Sequence, residues 1–287
     1  METEVKARFE QSSNYAFYKN KKRLEWSIVR FGVCYDLTKA EFIARLGYDY
    51  IEGHVTKIAA MSDEEFKALE AQINSLPIKV EACCVLFPGN LKVVGPDADL
   101  DAVSKYLDTV FPRLERLGVG PVVFGSGGAR KVPEGFDRAL AWHQMIEVGR
   151  LLSEKAGKHN LTIVIEPLNK NETNIINYQL DALKLAKDIE RDNVRVLSDF
   201  YHLSLGGEGR AEVAACGKLL KHAHIANPKG RISPARGDEI SYDGFFAGLA
   251  DVGYSGRLSV ECSLKEPEKE LAESLILLKE KAAEYGI

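Results

Sequence analysis

Four apolar runs in this sequence reach a side chain able to carry charge just where a strand would leave the core. LTIVIE (161–166) stops at Glu166, VRVLSD (194–199) stops at Asp199, LKHAHIA (220–226) carries His224, and LSVEC (258–262) carries Glu261. Thr162 to Ile165 are β-branched at every position, the composition of a strand buried on both faces. Taken singly, a strand-end Asp is usually the cap of a following helix, and a strand-end Glu can simply mark where solvent begins. Side-chain alternation adds a constraint. Ser259 and Glu261 share one face while Leu258 and Val260 share the other, and Glu166 shares a face with Val164 and Thr162. Three carboxylates and one imidazole converging on an apolar interior would repel one another or shift their pKa values until neutral. A divalent cation between them resolves the conflict. Three oxygens and one nitrogen suit Mn²⁺, or Mg²⁺ or Co²⁺, better than a tetrahedral structural zinc. His222 lies one layer deeper than His224 on the same face and reads as an internal hydrogen-bonding residue rather than a ligand.

Convergence requires a scaffold. Four more strand-like runs precede these, at IVRFGVCY (28–35), YDYIEG (48–53), IKVEACCVLF (78–87) and GPVVFG (120–125). Between the runs lie helical patterns, clearest at 62–73, 99–117, 136–158, 178–190, 242–252 and 267–284. Ser62 with Glu65 forms a capping box, and Gly47, Gly118 and Gly253 each stand where a left-handed helix cap falls. Eight β-α units without a long linker predict an α/β fold, a closed (β/α)₈ TIM barrel over 28–287, with residues 1–27 as an N-terminal arm. In such a barrel the C-terminal strand ends form the active-site face, so the four groups would meet there. An open doubly wound sheet would carry a Gly-rich turn after its first strand, where this chain has CYDLTKAE. The GSGG at 125–128 lacks both phosphate-binding patterns and reads as a tight turn that lets backbone approach the barrel mouth.

Composition narrows the function. The chain has 287 residues, 45% of them hydrophobic and 28% charged, and a net charge of −4. That balance argues against general nucleic-acid binding, which needs a basic surface. No apolar run approaches the roughly 18 to 20 residues of a membrane span. The polar N-terminus and five cysteines without a C-x-x-C pair lead to the expectation of a cytoplasmic protein whose thiols are small buried hydrophobes.

The stretches VIEPLNKNE, SDFYHLSLGG, HAHIANP and SVECSL resemble the xylose-isomerase-like TIM-barrel superfamily, and within it the sugar-phosphate isomerase/epimerase group that includes the ketose 3-epimerases. The resemblance covers most of residues 28–284. It implies that Glu166, Asp199, His224 and Glu261 hold one metal ion, and that Glu172 and His202 contact substrate. Where the family's ketose 3-epimerases place a substrate-binding Arg, this sequence has Gly230, with Arg231 next and Arg236 further on. Either arginine can fill the role, and Arg231 is the first candidate. The expected partner is a small sugar, handled by a homo-oligomer, dimer or tetramer.

The chemistry that follows is removal of a proton beside a carbonyl, through an enediolate, with Glu166 and Glu261 as acid and base on opposite faces. A metal-dependent lyase or dehydratase acting on a sugar, keto-sugar or inositol derivative shares this first step and is the alternative. An apurinic-site endonuclease of the same superfamily would need several zincs and many histidines, and the chain has six. A non-enzymatic binding module would leave the four groups without a purpose.

Overall fold

The structure, a computed structural model, describes residues 29–287; the arm expected at 1–27 lies outside the described residues. Eight parallel strands close on themselves in sequence order: β1 (Arg30–Cys34), β2 (Tyr50–His54), β3 (Lys79–Cys84), β4 (Pro121–Phe124), β5 (Thr162–Ile165), β6 (Val194–Asp199), β7 (Leu220–Ile225) and β8 (Arg257–Val260), with β8 pairing back to β1. The expected TIM barrel is therefore the fold. The six clearest helical patterns form helices at Asp63–Ser75, Leu100–Leu117, Arg138–Gly157, Gln179–Ile189, Asp243–Asp251 and Pro267–Tyr285. Ser62 and Glu65 make the reciprocal capping box, and Gly47, Gly118 and Gly253 take left-handed φ values of 88°, 82° and 61°. No described helix is long and apolar enough to cross a membrane.

The period-two alternation sorts the strand residues into two layers. Val122, Ile163, Ile165, Ala223, Ile225, Leu258 and Val260 pack outward into the large core shared with the helices. Cys84, Val123, Val164 and Leu197 form a smaller apolar plug inside the barrel. Burial of each larger side chain in these layers contributes about 1.5–3 kcal/mol, which makes the strand ends rigid supports. Below the plug, Glu81 accepts from Arg30 Nη2 at 2.5 Å and from Arg257 Nε at 2.7 Å, tying β1, β3 and β8 together at the N-terminal end. All five cysteines are free thiols; Cys83, Cys84 and Cys216 are buried and Cys34 and Cys262 partly so.

Candidate metal centre and active site

Glu166 and Glu261 are the first residues beyond β5 and β8, yet the ladder still holds them. The Glu166 N–H donates to the Phe124 carbonyl at 3.3 Å, and the Glu261 N–H to the Ile225 carbonyl at 3.1 Å. Asp199 ends β6 and pairs in register with His224 on β7. One potential ligand atom from each of Glu166, Asp199, His224 and Glu261 lies within 4.8 Å of all the others. His224 Nδ1 is 3.3 Å from Glu166 Oε1 and 3.4 Å from Glu261 Oε2. Glu166, Asp199 and His224 are buried, while Glu261 is open to the mouth on one side.

These groups are arranged for something between them. Glu166 Oε1, Asp199 Oδ2 and His224 Nδ1 are buried with no hydrogen-bond partner. Asp199 does serve as a helix cap, since its Oδ1 accepts from the Tyr201 N–H at 2.9 Å. Its other oxygen is left free, so the ordinary role and the second one coexist in one carboxylate. Burial, with the charges of Glu166 and Glu261 adding to it, pushes the Asp199 carboxyl up to about 7. Burial likewise raises Glu166. For Glu261 burial is outweighed by His224 and Arg231, and the carboxyl falls to about 2. Orphaned acceptors and mutually raised carboxyls fit a divalent cation, and the donor set suits a hard or borderline ion.

Around this cluster stand the three residues expected to meet substrate. Arg231 donates from Nη2 to Glu261 Oε2 at 2.7 Å and from Nη1 to Glu172 Oε1 at 3.2 Å, with its guanidinium 4.6 Å from the Tyr201 ring centroid. Consecutive left-handed residues, Gly230 at φ 91° and Arg231 at φ 49°, aim it there. Arg236 instead pairs with Glu280 on the last helix. His202 Nδ1 accepts from the Asn169 N–H at 3.1 Å, so Nε2 carries the hydrogen. Burial, aided by Arg231, holds this imidazole down to about 3 and hence neutral. Its Nε2 is itself buried and unpartnered, 3.5 Å from Asp199 Oδ2.

Three residues that build the site escaped the sequence reading. Asn169 Nδ2 donates to Glu172 Oε1 at 2.8 Å and lies 3.0 Å from His202 Nδ1, joining two of the mouth residues. Arg130, fully buried, donates to the carbonyls of Phe124 and Glu166 at 2.9 and 2.7 Å and so anchors the Glu166 backbone. Glu52, on β2, lies beneath the cluster with its carboxylate against His222 and His224. The GSGG stretch does bring backbone close. A Cβ at Gly125 would lie 2.1 Å from Glu166 Oε2, and one at Gly127 would lie 2.9 Å from the Glu172 carbonyl. Gly125→Ala should therefore displace the Glu166 carboxylate and weaken Mn²⁺ binding by about 10-fold or more, measured by titration of metal-stripped protein. Unchanged affinity would mean that the carboxylate has room to move.

The family model for the xylose isomerase-like TIM barrel matches residues 40–281. The chain belongs to this family. Among its relatives, the D-psicose 3-epimerase of Ruminiclostridium cellulolyticum is 26% identical over 233 residues, 77% of this chain and 76% of that protein. The 3-dehydro-D-guloside 4-epimerase of Escherichia coli is 24% identical over 254 residues, 85% of this chain and 94% of that one. The crystal structure of a D-psicose 3-epimerase in the presence of D-fructose superposes with a TM-score of 0.77 at 17% identity, covering 90% of this chain and 100% of that chain, which shows the shared fold. The buried Glu/Asp/His cluster is consistent with the metal site typical of xylose isomerase-like barrels.

Proposed function

We propose that this xylose isomerase-like barrel is a divalent-metal-dependent sugar epimerase or isomerase that removes and returns a proton beside the carbonyl of a ketose or related sugar. The observation that carries the reading is the set of orphaned acceptor atoms from Glu166, Asp199 and His224 facing one another beside Glu261. These four residues would hold the ion, with Mn²⁺ proposed and Mg²⁺ or Co²⁺ as substitutes. When bound, the cation supplies Lewis-acid polarisation of substrate oxygens next to the carbon that is deprotonated. Glu261, whose Oε2 accepts from Arg231 Nη2 at 2.7 Å, would take the proton from one face. Glu166, on the other side of the ion, would return a proton to the opposite face. Their strands are three apart around the barrel, so the two carboxyls approach a planar intermediate from different sides. The His202 Nε2–H is free to donate to a substrate oxygen, and Glu172 and Arg231 flank the position of further hydroxyls.

Incubating the Mn²⁺-loaded protein with ketohexoses and ketopentoses in D₂O tests this directly. Deuterium should enter both recovered substrate and its epimer, read by NMR and mass spectrometry. Loss of water or of another leaving group would instead establish the lyase or dehydratase. Absence of exchange with every sugar tried would reject the proposal.

A further inference from the structure

Beneath the four converging groups lies a second polar layer that the proposed chemistry does not use. Glu52 of β2 is fully buried, at 0% exposure, with both oxygens occupied. Oε1 lies 3.1 Å from His224 Nε2, Oε2 lies 2.8 Å from His222 Nε2, and Oε2 also accepts from Ser259 Oγ at 2.5 Å. Ser259 Oγ is in turn 2.7 Å from the Tyr50 hydroxyl. Room for the Tyr50 ring exists because β1 carries Gly32 beside it, where a Cβ would come within 2.3 Å of the ring.

An ionised carboxylate accepts only, so the direction of each bond follows. Tyr50 donates to Ser259, Ser259 donates to Glu52, and both imidazoles donate to Glu52 through Nε2. A core assembled only for stability would do as well or better with apolar side chains in these places. The product of the arrangement is a fixed His224. Its Nε2 must carry a hydrogen, and its Nδ1 is aimed, without a partner, between Glu166 and Glu261. Among the described residues the other group beside Nε2 is Cys34 Sγ at 4.0 Å, a weak competitor for that hydrogen.

We infer that Glu52 is the positioning residue for metal capture: through its bond to His224 Nε2 it fixes the ring and tautomer that present Nδ1 to the ion, with His222, Ser259 and Tyr50 holding Glu52 in turn. The inference rests on the proposed metal-dependent function and assigns Glu52 no contact with substrate.

Mn²⁺ titration of metal-stripped protein, with free ion followed by electron paramagnetic resonance, tests it without any turnover assay. Glu52→Gln keeps the shape but cannot accept from His224, His222 and Ser259 together. It should bind one Mn²⁺ about 10- to 100-fold more weakly than the unaltered protein. Ser259→Ala leaves His224 untouched and removes one bond to Glu52; a loss of about 3-fold is expected, and this variant carries the test if Glu52→Gln does not fold. Melting temperatures of the metal-free forms separate a purely structural role, which would lower stability and leave Mn²⁺ affinity unchanged. Unchanged affinity in the folded variants, with the unaltered protein binding one ion, overturns this inference alone. An unaltered protein that takes up no Mn²⁺ overturns both the inference and the proposed function.

Discussion

Glu261→Gln is expected to lower turnover by about 10²- to 10⁴-fold at saturating Mn²⁺, the scale of a lost acid–base group. The amide preserves size and can still accept from Arg231 Nη2, which stands 2.7 Å from Glu261 Oε2. It cannot accept a proton from carbon. Sugar binding, followed by calorimetry, should hold within about 10-fold, because Glu172, His202 and Arg231 remain in place. Glu166→Gln supplies the mirror experiment. If each glutamate serves one face, the two variants should differ in which epimer still exchanges hydrogen with D₂O. Near-normal activity in Glu261→Gln, or the same exchange pattern in both variants, would refute the two-carboxylate assignment.

Chelation should abolish turnover, with recovery on adding Mn²⁺, and should also lower thermal stability. An ion present at 100 times its Kd stabilises a protein by about 2.7 kcal/mol, worth about 4–5 °C in Tm for a domain of this size. The pH dependence has a definite sign. In the metal-free protein Asp199 is pushed up from 3.8 to about 7, Glu166 is raised, and His224 is raised because Glu52 and Glu261 outweigh its burial. Acids raised on folding cost stability as pH climbs from the unfolded value through the folded one. A raised His contributes stability below its unfolded value and loses it as pH climbs through the folded one. Asp199 therefore makes the metal-free protein less stable as pH rises from about 4 through 7, Glu166 acts in the same direction, and His224 adds its own loss above about 6.5. An ion must displace the protons held there, so Mn²⁺ uptake near pH 7 should release protons and weaken toward pH 6. Calorimetry in buffers of different ionisation enthalpy reads the release directly. Uptake without proton release, or a Tm indifferent to chelation, would contradict the electrostatics of the cluster.

The barrel was legible because alternation and helix punctuation repeat eight times along the chain. Strand-end groups such as Glu166 and Asp199 stand out against β-branched runs, so their convergence follows once the barrel is assumed. Glu52 was hidden because YDYIEG shows an acid followed by Gly53, the pattern of a strand reaching solvent. Its partners, His222, His224 and Ser259, are over 160 residues away, and only barrel closure brings them together. Arg130 sits in a four-residue helix after a Gly-rich turn and is satisfied by backbone carbonyls, which leave no mark on composition. Short helices such as Val55–Ala60 and Phe200–Gly206 are too brief for a periodic signal, and tertiary packing sets them. The choice between Arg231 and Arg236 depended on loop backbone, where two successive left-handed residues decide which guanidinium turns inward.

Among the described residues, the knot of Arg30, Glu81 and Arg257 at the far end and the apolar plug above it stand across the barrel, opposite the mouth where the four groups converge. Under the proposed function, sugar would enter and leave by the same opening, past Arg231 and Glu172. On that reading product is a direct rival for the place of substrate.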